Sequence, residues 1–384
     1  MNRILVICTH PYQYTGYARV AFNILNAIAT QHPDYAISCY GFQAAVECAL
    51  NRKLPENVTL YKAVCTQNDS FGFEGIQSFV KLCQPTHILL YNDQVVVSEF
   101  LKRIHHIKPK QCTVSVYLDI VYPNTKTEDK EYIVNNSNRV ITFAKCWLSE
   151  LPKNDNMLHF SHGVDSSIYE IPSDEAKGIL NIPKDTVVLL NANRNQPRKR
   201  YDILMQSIAL HHSAVKDSKL LLLVATSAND AYNLREILQF ELSNLGVNKT
   251  VDEICLFVQN PQQLSDELMN VIYNAADIGI NTCDGEGFGL CNLEQASVGK
   301  PQIVPRLPIF EEIYGTSILY AEPVANYYTN RDRIGGKATA CSVESYSSLI
   351  THYYENQSER VKYGKVFKQL TQHYSWDGIA DVLI

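Results

Sequence analysis

Several common patterns are missing from this chain of 384 residues. No apolar run approaches the 18 or more residues of a membrane span, so no spanning helix is expected. Near the start, Arg3-Ile4-Leu5-Val6-Ile7-Cys8 is too short for a secretory leader and turns polar at Thr9-His10, so none is expected. There is no block of basic residues and the formal net charge is -6, which argues against a nucleic-acid partner. The eleven cysteines contain no C-x-x-C pair, and several sit inside apolar runs. They read as reduced core thiols of a cytoplasmic protein rather than as disulfides or zinc ligands. No repeat of fixed period and no low-complexity segment interrupts the chain.

What remains is an ordinary globular composition, 46% hydrophobic and 19% charged, long enough for two domains. Ile4 to Cys8 is a continuous apolar run, as expected of a parallel strand covered on both faces. The loop His10 to Gly16 follows, then an amphipathic helix carrying Val20, Ala21, Ile24, Leu25 and Ile28. Further strands are expected at Tyr35 to Phe42, Val58 to Ala63, His87 to Tyr91, Thr113 to Leu118, Arg139 to Phe143 and Met157 to Phe160. Helical patterns such as Gly75 to Cys83 and Val95 to His106 lie between them. This alternation implies a doubly wound parallel sheet.

The stretch Gly163 to Ser173 has no periodicity and reads as an interdomain connection. A second alternating series follows, with strands expected at Val187 to Asn191, Lys219 to Ala225, Ile254 to Val258, Asp277 to Ile280 and Gln302 to Val304. Asn260-Pro261-Gln262-Gln263 has the cap, proline and glutamine of a helix start. The tail from Val343 onward is helical in pattern. The expected domains are therefore 1–165, 166–366, and a C-terminal helix, 367–384, that crosses back to the first domain. Open α/β sheets bind ligands at the carboxyl ends of their strands. The loops expected at such a site are His10 to Gly16, Asp119 to Asn124, Asn191 to Lys199, Gln259-Asn260 and Cys283 to Gly289.

The stretch from Asn281 to Pro301 is the most informative. A short apolar strand leads into Gly285-Glu286-Gly287-Phe288-Gly289, and then Leu290, Leu293 and Ala296 mark one face of a helix stopped by Gly299 and Pro301. Amides at a helix start point outward and the helix dipole adds positive potential, a combination that favours a phosphate. Glu286 and Glu294 are eight residues apart, about 12 Å along an axis if both were helical. Carboxylates accept from sugar hydroxyls, so an acid on each side of an anion site suits a nucleotide sugar: hexose, diphosphate, ribose. A glycine-rich turn with two surface acids is the alternative reading.

Arg194, Arg198, Lys199 and Arg200 fall within seven positions, after a strand and at a helix start. The macrodipole disfavours cations there unless an anion is present to pair them. A solvated basic turn is the alternative.

Taken together, Arg194…Lys199, Glu286-Gly287-Phe288-Gly289-Leu290…Glu294 and Gly299-Lys300-Pro301 resemble the retaining GT-B glycosyltransferases of family 4. That family's motif has two glutamates with seven residues between them, an intervening G-F-G and a downstream G-x-P. The resemblance runs from about Asp165 to Pro305, and the first domain matches only in layout; overall, the chain has a looser likeness to glycosyltransferases of large algal DNA viruses. It implies a GT-B fold of two Rossmann-like doubly wound parallel-sheet domains facing across a cleft. It implies a nucleotide-sugar donor and a glycan or other hydroxyl acceptor, with no cofactor. Arg194 and Lys199 would neutralise the departing diphosphate, in place of a metal. Glu286 would accept from hydroxyls of the transferred sugar and Glu294 from the ribose. The amides of Phe288, Gly289 and Leu290, in the turn that Gly287 opens, would hold phosphate oxygens, and Gln259 and Asn260 would lie near the base. Gly16 resembles the family's glycine loop after the first strand, where a pair of glycines is reduced to one. The Asp-x-Asp triplet that holds manganese in another large class of sugar transferases is absent.

One departure concerns the His that many relatives place near the sugar. Tyr117 to Tyr122 holds none, which leaves Asp119, His10 and His162 as candidates. Arg198 and Arg200 leave the choice of lysine open by one position. GDP-mannose is the first expected donor and UDP-glucose the second. A nucleotide-sugar epimerase, a phosphorylase and a non-catalytic nucleotide-sugar-binding protein are the other readings. A dinucleotide oxidoreductase is weaker, because G-x-G-x-G is not G-x-G-x-x-G.

Overall fold

The computed structural model describes residues 2–44, 52–258 and 264–384. The chain forms two compact units: Met1–Asp165 with Tyr328–Lys337 and Tyr374–Ile384, and Ser166–Tyr327 with Ala338–His373. No described helix is long and apolar enough to cross a membrane, and every described cysteine is a free thiol.

The first unit holds a seven-stranded sheet: β1 (Arg3–Thr9), β2 (Ala36–Phe42), β3 (Val58–Lys62), β4 (His87–Asp93), β5 (Thr113–Asp119), β6 (Arg139–Thr142) and β7 (Met157–His159). Its order is β3-β2-β1-β4-β5-β6-β7 and every pairing is parallel. Helices cover both faces, so β1, β4 and β5 are buried almost throughout and read in sequence as mainly apolar runs, with Ser115 the polar break inside β5. The helix Gly16–Gln31 follows β1, capped by Thr15, whose Oγ1 accepts the amide of Ala18 at 3.1 Å. The helix Gln94–Ile104 follows β4, with Asp93 capping the amides of Val95 and Val96. It ends two residues short of the expected His106.

The second unit repeats the plan with β8 (Val187–Asn191), β9 (Leu220–Val224), β10 (Cys255–Phe257), β11 (Ile278–Ile280), β12 (Gln302–Pro305) and β13 (Tyr320–Ala321). Their order, β10-β9-β8-β11-β12-β13, is the Rossmann arrangement. β14 (Pro323–Thr329) and β15 (Gly336–Cys341) form a separate two-stranded sheet. Leu189, Leu222, Ile278 and Ile303 of the sheet pack with Leu204, Ile208 and Tyr346 of the covering helices in one buried cluster. Each such aliphatic side chain contributes roughly 1.5–3 kcal/mol on burial.

The order has a direct consequence for the site. β8 and β11 are neighbours, pairing Leu189 with Ile278 and Leu190 with Gly279. The chain winds outward in opposite directions from these two strands, so their following loops part and leave a crevice at the carboxyl edge. Those loops are the basic segment after Asn191 and the glycine turn after Ile280.

Candidate functional site

The basic loop is built on buried amides. Asn191, at the end of β8, accepts from the backbone and side-chain nitrogens of Asn193 at 3.0 and 2.9 Å. Asn195, fully buried, donates to the carbonyls of Ser227 and Tyr232 and accepts the Tyr232 amide. This pins the basic loop to the loop that follows β9. Pro197–Lys199 makes one 3-10 turn, and Arg200 takes a left-handed conformation at φ 47° before the helix Tyr201–Ala214 begins. Arg200 also forms a two-pronged ion pair with Asp202, at 3.0 and 2.8 Å, which ties its guanidinium to the local turn.

The glycine turn presents Glu286 to that loop. Lys199 Nζ donates to Glu286 Oε2 and, at 2.7 Å, to Asn193 Oδ1. Arg198 donates to Glu286 Oε1 at 3.2 Å and to the Gly285 carbonyl at 3.1 Å. Asn281 donates to Oε2 at 3.2 Å. Two backbone ties join the loops as well: the Asp284 amide to the Arg198 carbonyl at 2.9 Å, and the Thr282 hydroxyl to the Lys199 carbonyl at 2.9 Å. Burial pushes the Glu286 carboxyl up, but Lys199 and Arg198 outweigh it and the group is lowered to about 2. Glu286 is therefore a buried, ionised acceptor, 6% exposed, beside two cations.

The helix begins at Leu290, not before Glu286, so the expected spacing along one axis does not apply. Gly289, at φ 83°, closes the turn, and no side chain caps this helix. A Cβ on Gly289 would lie 2.6 Å from the Phe310 ring, so only glycine lets the chain turn here. Gly287 and Phe288 are buried in the turn. Glu294, 2% exposed, lies one helical turn further on and accepts from the Tyr273 hydroxyl at 2.8 Å. Tyr273 comes from the helix Asp266–Ala275.

Of the site residues expected from sequence, Lys199 and Glu286 are bonded to one another, and Gly287 to Leu290 form the turn beside them. Glu294 sits on the helix that the turn opens but bonds Tyr273, not Glu286. Arg194 is exposed on the same loop as Lys199, while Arg198 is the second cation on Glu286. Gln259, Asn260 and the helix start expected at Asn260 to Gln263 lie outside the described residues. Gly16 and Asp119 belong to the first unit, where Gly16 is exposed at a helix start and Asp119 accepts from the hydroxyl of Tyr17. His10 and His162 are both buried, and burial lowers them to about 4 and about 3. His162 sits among aromatic rings and shares a 2.8 Å hydrogen bond with Tyr117, as a core residue would. Sequence reasoning passed over Asn193, Asn281 and Tyr273; three asparagines within Asn191 to Asn195 were the one visible hint.

Two Rossmann-like domains, with an acid, two cations and a helix start that no side chain caps at the switch point of the second, define the GT-B fold of glycosyltransferases. Comparison with known proteins agrees. Sucrose-phosphate synthase from Thermosynechococcus elongatus superposes with a TM-score of 0.74 at 13% identity, covering 99% of this chain and 96% of that one. A glycosyltransferase from Rickettsia africae gives 0.67 at 13% identity, over 97% and 94% of the two chains. In sequence, the chain is 28% identical over 197 residues to the D-inositol 3-phosphate glycosyltransferase of Saccharomonospora viridis, 49% of this chain and 44% of that protein. It spans about half the length of the curated relatives it matches. No family model matches the chain. The chain thus resembles the GT-B glycosyltransferases of family 4 in sequence and shares their fold.

Proposed function

We propose that this protein is a retaining glycosyltransferase that moves a hexose from a nucleotide sugar to a hydroxyl acceptor without a metal. The first donor to consider is GDP-mannose, and UDP-glucose the second. The observation that carries the reading is the ion cluster of Lys199, Arg198 and Glu286 in front of the uncapped helix Leu290–Ser297. A diphosphate placed there would draw on the two cations and the helix amides, which stabilise charge as the nucleoside diphosphate leaves. Glu286, kept ionised, would accept from hydroxyls of the sugar, and Glu294 from the ribose. Arg194 would add charge from the outer part of the loop. Retention is carried over from the family resemblance, and the two cations supply the physical ground for doing without a metal.

The matched curated relatives are named for D-inositol 3-phosphate, so a phosphorylated polyol is a reasonable first acceptor to try. Reduced cysteines and a nucleotide-sugar donor both fit a cytoplasmic location. The test is release of nucleoside diphosphate from a panel of GDP and UDP sugars, with and without acceptor. Turnover of one donor with sugar transferred supports the reading. Free sugar isomers formed without acceptor would instead indicate an epimerase, and dependence on inorganic phosphate a phosphorylase.

A further inference from the structure

Behind Glu286 runs a buried chain of side-chain amides. Asn281 is the first residue after β11, and its Nδ2 donates both to Glu286 Oε2 at 3.2 Å and to Asn292 Oδ1 at 2.9 Å. Its Oδ1 accepts the Cys283 amide at 3.0 Å, and its backbone carbonyl accepts from the Tyr346 hydroxyl at 3.1 Å. Asn292 Nδ2 in turn donates to Gln302 Oε1 at 2.8 Å, and Gln302 Nε2 to the Lys300 carbonyl at 3.0 Å. Asn281, Asn292 and Gln302 are respectively 0%, 3% and 0% exposed.

The chain has a direction. The Lys300 carbonyl fixes which end of Gln302 donates, which fixes Asn292, which fixes Asn281. A flipped Asn281 amide would turn its oxygen toward the Glu286 carboxylate and its NH2 toward the Cys283 N–H, both repulsive. Buried amides hold one another to a single arrangement, because an unpaired member costs about 1–3 kcal/mol. The backbone has made room for this chain. Gly279, in the middle of β11, would carry a Cβ 2.2 Å from Gln302 Oε1 and 2.1 Å from Gln295 Oε1. Glycine inside a strand marks such a close approach.

The three donors to Glu286 differ in kind. Lys199 and Arg198 carry positive charge, which a diphosphate can recruit. Asn281 is neutral, comes from the same turn as Glu286, and is fixed from behind. We propose that Asn281 is a positioning residue for sugar transfer, holding Glu286 in one orientation when Lys199 and Arg198 turn to the donor phosphates. This rests on the function proposed above and names a residue which that reading does not require.

The experiment measures nucleoside diphosphate release from GDP-mannose and UDP-glucose by the wild type, Asn281→Asp, Gln302→Leu and Glu286→Gln, with thermal melts of each. Asn281→Asp keeps the shape and the bond from Cys283 but removes the donor. It is expected to lower kcat about 10- to 100-fold and leave the donor KM within about threefold. The ratio of kcat at pH 5.5 to that at pH 7.5 should also fall, because a second carboxylate raises the proton affinity of Glu286. Gln302→Leu, two amides away from Glu286, should lower kcat less and in the same direction. A folded Asn281→Asp with wild-type kcat and pH ratio overturns the positioning role, as does a lowered melting temperature with kcat unchanged. If Asn281→Asp does not fold, an unchanged kcat in Gln302→Leu overturns it. Glu286→Gln separates the two ideas: full turnover there sinks the proposed function, and positioning with it. Loss of turnover there beside a normal Asn281→Asp sinks positioning alone.

Discussion

The Lys199 ammonium hydrogen-bonds the Glu286 carboxylate, although 86 residues separate them and they arise on loops from two neighbouring strands. Both are nearly buried, and Arg198 reaches the other carboxylate oxygen. Removing one member of a buried pair leaves the other charge uncompensated, typically at about 3–5 kcal/mol. Here Arg198 and Asn281 remain on Glu286, so Lys199→Ala should lower stability by less than that range while lowering turnover about 100-fold or more. Donor affinity should change much less. Stopped assays and calorimetric titration on the same preparation separate the two effects, and near-normal turnover in both Lys199→Ala and Arg194→Ala would remove the role assigned to the basic loop.

Glu294 acts through binding rather than chemistry on this account. Glu294→Ala should weaken the donor by about 1.5–3 kcal/mol, as expected of a hydrogen bond to a charged group, and leave the Tyr273 hydroxyl buried without this acceptor. Titration with the nucleoside diphosphate alone should show the same loss, since the ribose is present in both ligands. Unchanged affinity would refute the ribose contact.

Gly289→Ala should destabilise the second unit. It combines a left-handed backbone with a Cβ 2.6 Å from the Phe310 ring, and strain of this kind costs of order 1–3 kcal/mol. A fall in melting temperature together with loss of donor binding is expected. Gly246→Ala, also at positive φ but with open space where its Cβ would go, should cost less.

Acid should loosen both units. In the first, burial lowers His10 and His87 to about 4 and His162 to about 3. In the second, burial lowers His211 to about 4 and His212 to about 3, with Lys249 adding to both. An unfolded histidine titrates near 6.5, so below that pH the unfolded chain binds protons that the folded chain refuses. Stability contributed by these groups is fully present above about pH 6.5 and is lost as the pH falls toward 4. Each contributes a slope of up to about 1.4 kcal/mol per pH unit. Melting temperatures between pH 7.5 and pH 5 should fall steadily, and a flat profile would contradict the neutral buried state of these rings.

Chelation gives a simpler check. On the proposed mechanism Lys199 and Arg198 take the place of a metal, so EDTA should leave turnover intact. A strict requirement for a divalent ion would count against the mechanism.

Most of the sheet was legible because parallel strands buried on both faces are continuous apolar runs, as in Ile4 to Cys8 or Val187 to Leu190. β14 was not, because Pro323 to Ala325 and Asn326 are exposed and the strand pairs only with β15. Nor was β13, whose two residues are too short for any period to show. Within the site, the spacing of Glu286, the glycines and Glu294 was plain. The identity of the second cation was not: consecutive residues of the tight turn Pro197–Lys199 point in different directions, so sequence cannot say whether Arg194, Arg198 or Arg200 faces the acid. The amides behind Glu286 were invisible for another reason. Asn281, Asn292 and Gln302 gain meaning only once β11, the following helix and β12 are side by side.

The most direct test is calorimetric titration of GDP-mannose, UDP-glucose and the corresponding free diphosphates into the wild type and Glu286→Gln. The account predicts that a nucleotide sugar binds the wild type, and that Glu286→Gln weakens the nucleotide sugar more than its diphosphate. Equal weakening of both, or no binding of any nucleotide sugar to the wild type, would contradict the assignment of Glu286 to the sugar.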